Sequence, residues 1–227
     1  MKQLNREEST APLWRTWLVL ASLVLSTICY YAPWFTHRTA GFTMNAFDLA
    51  EWASLHPAVR NSTPPMLTSL LLRVPQLALV FAFALAANRL ADPRARWLMR
   101  GIAALPLLRF IPPVDFFRSA SDDPNYRQMA LLTGLGIGLV VLSIPLRRMS
   151  TRWQHGLSSV ALLGGAGSGW WGLSRTRLLL DNFEIAVKTG PGILGLTVVS
   201  VGVIMFMWAR SLGNWAGSVI LRRGSEA

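Results

Sequence analysis

Residues 67–88 read LTSLLLRVPQLALVFAFALAAN, 22 positions that carry a single charge, Arg73. The hydrocarbon core of a bilayer is about 30 Å thick and takes roughly 20 apolar helical residues to cross. This stretch therefore predicts a membrane-spanning helix, and its neighbours repeat the pattern. Thr16–Phe35, Trp97–Phe117, Met129–Leu146, Gly156–Leu173 and Pro191–Ala209 are the further apolar runs of comparable length. Together with Leu67–Asn88 they predict an all-α bundle of six transmembrane helices in one polytopic domain, residues 1–227. The run at 97–117 contains Arg109 and ends in IPP, and the run at 156–173 is rich in glycine, so these two are the least regular. The first run is not followed by an A-x-A cleavage pattern; ICYYAPWF is bulky and aromatic, and the run reads as a retained span.

Composition agrees with a membrane class. The chain is 52% hydrophobic and 15% charged, against roughly 25% charged for a soluble domain. Its net charge of +11 would point to nucleic acid if it formed a solvated patch, but the basic residues lie between the apolar runs. A nucleic-acid partner is not expected. Cys29 is the single cysteine, so no intrachain disulfide can form.

The basic residues also orient the chain. With the N-terminus inside, the inner segments hold 13: Lys2, Arg6, Arg15, Arg89, Arg94, Arg96, Arg100, Arg147, Arg148, Arg152, Arg210, Arg222 and Arg223. The outer segments hold 7, namely Arg38, Arg60, Arg118, Arg127, Arg175, Arg177 and Lys188. Positive charge favours the cytoplasmic side, which predicts a multi-pass protein of a bacterial cytoplasmic membrane with both termini inside. No internal repeat joins the two halves, which weakens a transporter built on inverted repeats.

Catalytic chemistry is hard to find. The histidines, His37, His56 and His155, fall at or beyond the ends of spans, where they do not suit axial ligation of a haem inside a bundle. GGAGSG, Gly164–Gly169, lacks the Gly-Lys-Ser/Thr ending of a phosphate-binding loop, since Trp170 follows it. Ser168 has no histidine after it in the chain to act as base. The glycine pairs Gly165/Gly169 and Gly134/Gly138 instead read as small faces for close helix packing. His37, Asp48, Glu51 and His56 are zinc-compatible residue types without a zinc spacing. No cofactor is expected to be bound by this chain alone.

The outer loop 36–66 reads as a short interfacial helix. Asn45 can cap it, Asp48 sits in its first turn, and Pro57 marks its end. Phe47, Leu49, Trp52 and Leu55 would give it apolar surface to lay on the membrane, with Asp48 and Glu51 left polar. Arg73 lies six residues into its span, about 9 Å deep at 1.5 Å per residue. Arg109 lies near the outer end of its own span, with Asp115 close by. Arg73 and Arg109 read as ion-pair or lipid- or quinone-headgroup residues, with Asp115 and Glu51 as their candidate acidic partners. Simple snorkelling of the arginines to the interface is the alternative.

The block YYAPWFTHRTAGFTMNAFDLAEWASLHP, residues 30–57, followed by TPPMLTSLLLR, residues 63–73, resembles six-span membrane proteins of filamentous anoxygenic phototrophic bacteria. The membrane assemblies of those bacteria include alternative complex III, a quinol oxidoreductase with accessory polytopic chains. The resemblance implies an auxiliary, non-catalytic membrane subunit of an electron-transfer complex, with other membrane subunits and lipid as partners and quinone nearby. It carries no haem, cluster or quinone ligand onto this sequence. The alternative expectation is a membrane component of a small-solute transporter, which calls for more polar residues near the midplane than these spans hold.

Overall fold

The structure, a computed structural model, describes residues 13–37 and 43–224, and of residues 210–224 the backbone alone. Lys2, Arg6 and Arg38 lie outside the described residues, as do the side chains of Arg210, Arg222 and Arg223. The fold is mostly helical and is organised around α4, Leu67–Ala87, of which 17 of 21 residues are buried. Around it stand α1 (Leu13–Tyr31), α7 (Pro124–Leu146), α8 (Thr151–Asp181) and α9 (Pro191–Gly224). A further column consists of α5 (Pro93–Ala104) continued by a 3-10 helix, Leu105–Phe110. Short helices α2 (Ala46–Leu55), α3 (Pro57–Arg60) and α6 (Val114–Arg118) occupy the connections.

Side-chain contacts fix the sense of each element. At the start of α4, Tyr30 of α1 donates to Leu72 O (3.1 Å) and Arg175 of α8 donates to Thr68 Oγ1 (3.1 Å). At the far end, Asn88 meets Arg100 of α5 and Ser143 of α7, while Trp14 of α1 lies edge-on to Phe206 of α9. Six elements therefore run between the two ends of the bundle, each antiparallel to the next in sequence.

Small residues allow α4 and α8 to approach closely. A Cβ on Gly165 would stand 2.7 Å from the Ala78 Cβ, and one on Gly169 would stand 2.7 Å from Trp34 Cη2. Both glycines face Pro75, whose ring replaces an N–H inside α4. Close backbone approach gains dispersion contacts along the whole seam, which is how apolar helices associate where no hydrophobic force separates them from lipid. Trp34 is fully buried at this junction and its Nε1 donates to Cys29 O at 3.2 Å. Gly192 clears the same indole, since a Cβ there would meet Trp34 Cδ1 at 2.5 Å. A two-residue antiparallel pair, β1 (Phe35–Thr36) with β2 (Lys188–Thr189), then ties the exit of α1 to the entry of α9. Nothing in the residue pattern of these two segments marks the pair.

Four helices are long and apolar enough to cross a membrane among the described residues: α1, α4, α7 and the 191–209 part of α9. Two of the six expected spans differ. The run at 97–117 is not one helix: it tightens into the 3-10 turn at Pro106, becomes extended after Phe110, and restarts as α6 after Pro112 and Pro113. Prolines that cannot donate are the cause. The run at 156–173 lies inside a 31-residue helix, longer than expected, whose ends are too polar and whose middle is too glycine-rich for it to count with the other four.

The two glycine pairs also differ. Gly134 and Gly138 have no atom within 4 Å of a built Cβ, so they pack on nothing in the described chain. Gly165→Ala should therefore lower the thermal midpoint in detergent, by the equivalent of about 1–3 kcal/mol for an overpacked site. Gly134→Ala should leave it unchanged or raise it, because alanine is the better helix former by about 1 kcal/mol. Circular dichroism melts of the two variants make the comparison.

Candidate functional site

Arg73 is fully buried, and its surroundings form the most developed polar site in the protein. An uncompensated guanidinium in a low-dielectric interior costs several kcal/mol, so it must find an anion and acceptors. Its Nη2 donates to Glu51 Oε1 and to Asn125 Oδ1, the latter at 2.8 Å, and its Nη1 donates to Gln128 Oε1 at 2.8 Å. The partners are held in turn: Asn125 Nδ2 donates to Glu51 Oε2 (3.3 Å), and Gln128 Nε2 donates to Met66 O (3.1 Å). A guanidinium only donates, so both amide oxygens are fixed toward it and both NH2 groups away from it.

Each partner is placed by local chemistry. Glu51 sits on α2, which Asn45 caps by accepting the Asp48 N–H at 2.9 Å, with its own NH2 donated to Asp48 Oδ2. Ala46, Leu49, Ala50 and Ala53 bury one face of α2 against α4. The apolar surface expected to lie on the membrane is divided: Phe47 and Leu49 are buried in the core while Leu55 stays exposed, and the partly exposed Glu51 reaches Arg73. Met66 enters α4 in the left-handed conformation at φ 60°, unusual for a side chain without a local polar group. Its N–H donates to Val59 O, and its carbonyl accepts both Leu70 N–H and Gln128 Nε2.

The other candidate residues separate from this network. Arg109 lies 3.8 Å from Asp48 and stacks over the Phe47 ring at 4.4 Å, half-exposed. That geometry is a cation–π contact with a loose, screened ion pair. Asp115 is exposed in α6 and pairs with neither arginine, so it is corrected as a partner. His56 accepts the Ala58 N–H at 3.1 Å and caps α3, and Ser168 donates to Gly165 O within its own helix. Among the described residues no three His, Cys, Asp or Glu side chains converge as a metal site.

Sequence reasoning passed over the amides and a second ion pair. Asn125 and Gln128 are spaced i, i+3 in the first turns of an apolar helix, a signal that could have singled them out. Asp123 caps α7 by accepting the Asn125 and Tyr126 N–H groups, and Arg60 donates to its Oδ2 at 2.5 Å. Together these contacts bring α2, α3, the entry of α4 and the start of α7 to one place.

A cavity of about 390 Å³ opens beside this site, between α1, α4 and the 3-10 helix. It is largely apolar; Gln76 lines it, with Nε2 donated to Pro106 O at 2.5 Å. Tyr31 and Arg109 lie at the same outer end of the cavity wall as the Arg73 network.

Chemically, the Arg73 network commits both terminal nitrogens of the guanidinium to Glu51, Asn125 and Gln128, while its buried Nε has no hydrogen-bond partner among the described residues. It can hold helices together and fix the loop over α4; its guanidinium has no lone pair with which to accept a proton. Compared with models of protein families, with curated proteins and with solved structures, the chain matches none.

Burial alone would raise the Asp123 carboxyl, but the Arg60 hydrogen bond and the N–H groups of Tyr126 and Asn125 outweigh it and hold the group below its ordinary value. A depressed carboxyl stabilises the fold above its unfolded pKa of about 3.9, and that contribution is lost as pH falls through the folded value. Asp123→Asn keeps a helix cap but removes the charge facing Arg60. Wild type should be more stable than Asp123→Asn by a constant margin above about pH 5, and the margin should shrink on acidification below about pH 4. Melts of both proteins across that range measure it.

Proposed function

We propose that the chain is a six-crossing membrane protein, with both termini cytoplasmic, that serves as a non-catalytic structural subunit of a larger membrane complex. The observation that carries this reading is the pairing of both Arg73 terminal nitrogens with Glu51, Asn125 and Gln128 of neighbouring helices. The deeply placed charge is committed to neighbouring helices, while the apolar outer faces remain bare. On α7, Leu131, Leu135, Ile137 and Val141 are exposed beside Gly134 and Gly138. The resemblance of residues 30–57 and 63–73 points to an electron-transfer assembly of the quinol-oxidising kind as the complex.

Six crossings are supported by length. The 31 residues of α8 rise about 46 Å at 1.5 Å each. The 12 α-helical residues of α5 and the 6 of the 3-10 helix together rise about 30 Å. Each is enough for a hydrocarbon core of about 30 Å. The orientation is supported by Arg89, Arg94, Arg96, Arg147, Arg148 and Arg152, which all fall at the far end of α4. A transporter would place polar groups along the middle of the bundle; here the hydrogen-bonded ion pairs gather at the entry of α4.

Single cysteines at Ser121 and Asn182 should label from outside the cell, and those at Ala91 and Thr151 from inside only. Labelling of 121 and 182 from opposite sides would remove the six-crossing topology. Gly138→Trp should leave the melting of the isolated chain unchanged, because the position is open, but release the chain from its native assembly on blue-native gels. A solitary, monodisperse native protein that moves a solute across proteoliposomes would replace the subunit reading with a transporter.

A further inference from the structure

At the end of the bundle opposite the Arg73 network, four arginines from two elements face one groove. Arg96 and Arg100 come from α5, and Arg147 and Arg148 follow the end of α7; the groove encloses about 440 Å³. No acidic side chain lines it. Asp92, the nearest acid in sequence, is occupied as the cap of α5, accepting the Arg94 and Ala95 N–H groups.

The arginines are poorly compensated. Arg96 and Arg147 act on Arg100 as like charges. Arg100 is 5% exposed; its Nη2 donates to Asn88 Oδ1 at 2.5 Å, and its Nε has no partner. Among the described residues the side chains of Arg96, Arg147 and Arg148 have no ion pair. Guanidinium groups gathered without a carboxylate raise the local potential and attract an anion, and their planar donors suit phosphate oxygens.

The walls say what kind of anion. Trp97, 60% exposed, lines the groove together with Ile144 and Pro145, and Arg100 stacks on the Trp97 ring at 5.0 Å. Tryptophan is enriched at the level of lipid headgroups. From Ile144 the exposed side chains of Val141 and Ile137 continue on the same face of α7 toward the other end of the bundle, a track for acyl chains. A soluble phosphate would use the arginines and leave this apolar track unused.

We propose that the groove between the start of α5 and the end of α7 binds the phosphate headgroup of an anionic phospholipid. Arg96, Arg100, Arg147 and Arg148 neutralise the headgroup, Trp97 marks its level, and the acyl chains lie along α7. The assignment does not depend on the subunit reading, since a chain working alone would carry the same groove.

Native mass spectrometry of the full-length protein, delipidated in detergent and titrated with phosphatidylglycerol or phosphatidylcholine, tests it. Phosphatidylglycerol should bind at least about ten-fold tighter at one site, the fold-change that corresponds to one decade in Kd. Arg96→Gln combined with Arg147→Gln should erase that preference. Arg94→Gln combined with Arg152→Gln, at the same end but outside the groove, should keep it. Equal binding of the two lipids, an equal loss in the control pair, or protection from melting by inorganic phosphate with no preference among lipids would each overturn the proposal.

Discussion

One buried cation, Arg73, constrains the end of the fold at which α4 begins. Arg73 sits on the most enclosed helix of the bundle, where a guanidinium is tolerable only with an anion and with acceptors for its N–H groups. Glu51 supplies the anion from a loop 22 residues earlier, and Asn125 and Gln128 supply oxygens from a helix more than 50 residues later. Those three contacts require α2 to fold back onto α4 and the first turns of α7 to stand beside it. The unusual backbone of Met66 follows, because Gln128 holds its carbonyl while Val59 holds its N–H. A strained residue of this kind costs of order 1–3 kcal/mol and persists only where its surroundings determine it.

The rest of the bundle is held by a different force. Between the two polar ends, α4 and α8 are joined by glycine, proline and alanine against one another, with Trp34 filling the gap where α8 and α9 part. The two ends carry opposite electrostatic character. One is neutralised internally by acids and amides; the other collects arginines that meet few acids, an asymmetry that agrees with the orientation proposed from charge.

Much of the architecture was legible in the sequence because the bilayer limits the options for a long apolar run. Residues 67–88 announced α4 almost to the residue, and Glu51 was already a nominated partner for Arg73. Other features were not legible. Gly134/Gly138 and Gly165/Gly169 have the same spacing, yet only the second pair meets another helix, since spacing does not reveal what lies opposite. The amphipathic look of Phe47–Leu55 fits a membrane surface and a protein surface equally well; Phe47 and Leu49 pack into the core, and Leu55 does not. Arg109 and Asp115 are close in sequence, but Pro112 and Pro113 break the helix between them and send the two side chains to different places.

The central claim is that Arg73 and Glu51 stabilise the fold as a pair. A double-mutant cycle on Arg73→Leu and Glu51→Leu, read by unfolding of the purified protein in detergent, tests it most directly. Glu51→Leu should cost about 3–5 kcal/mol, as expected when a buried charge is left alone, and Arg73→Leu should cost less, because Glu51 is partly exposed. The double variant should lose clearly less than the sum, because neither charge remains stranded. Strict additivity, to within the roughly 0.3–0.5 kcal/mol seen for independent sites, would contradict the account.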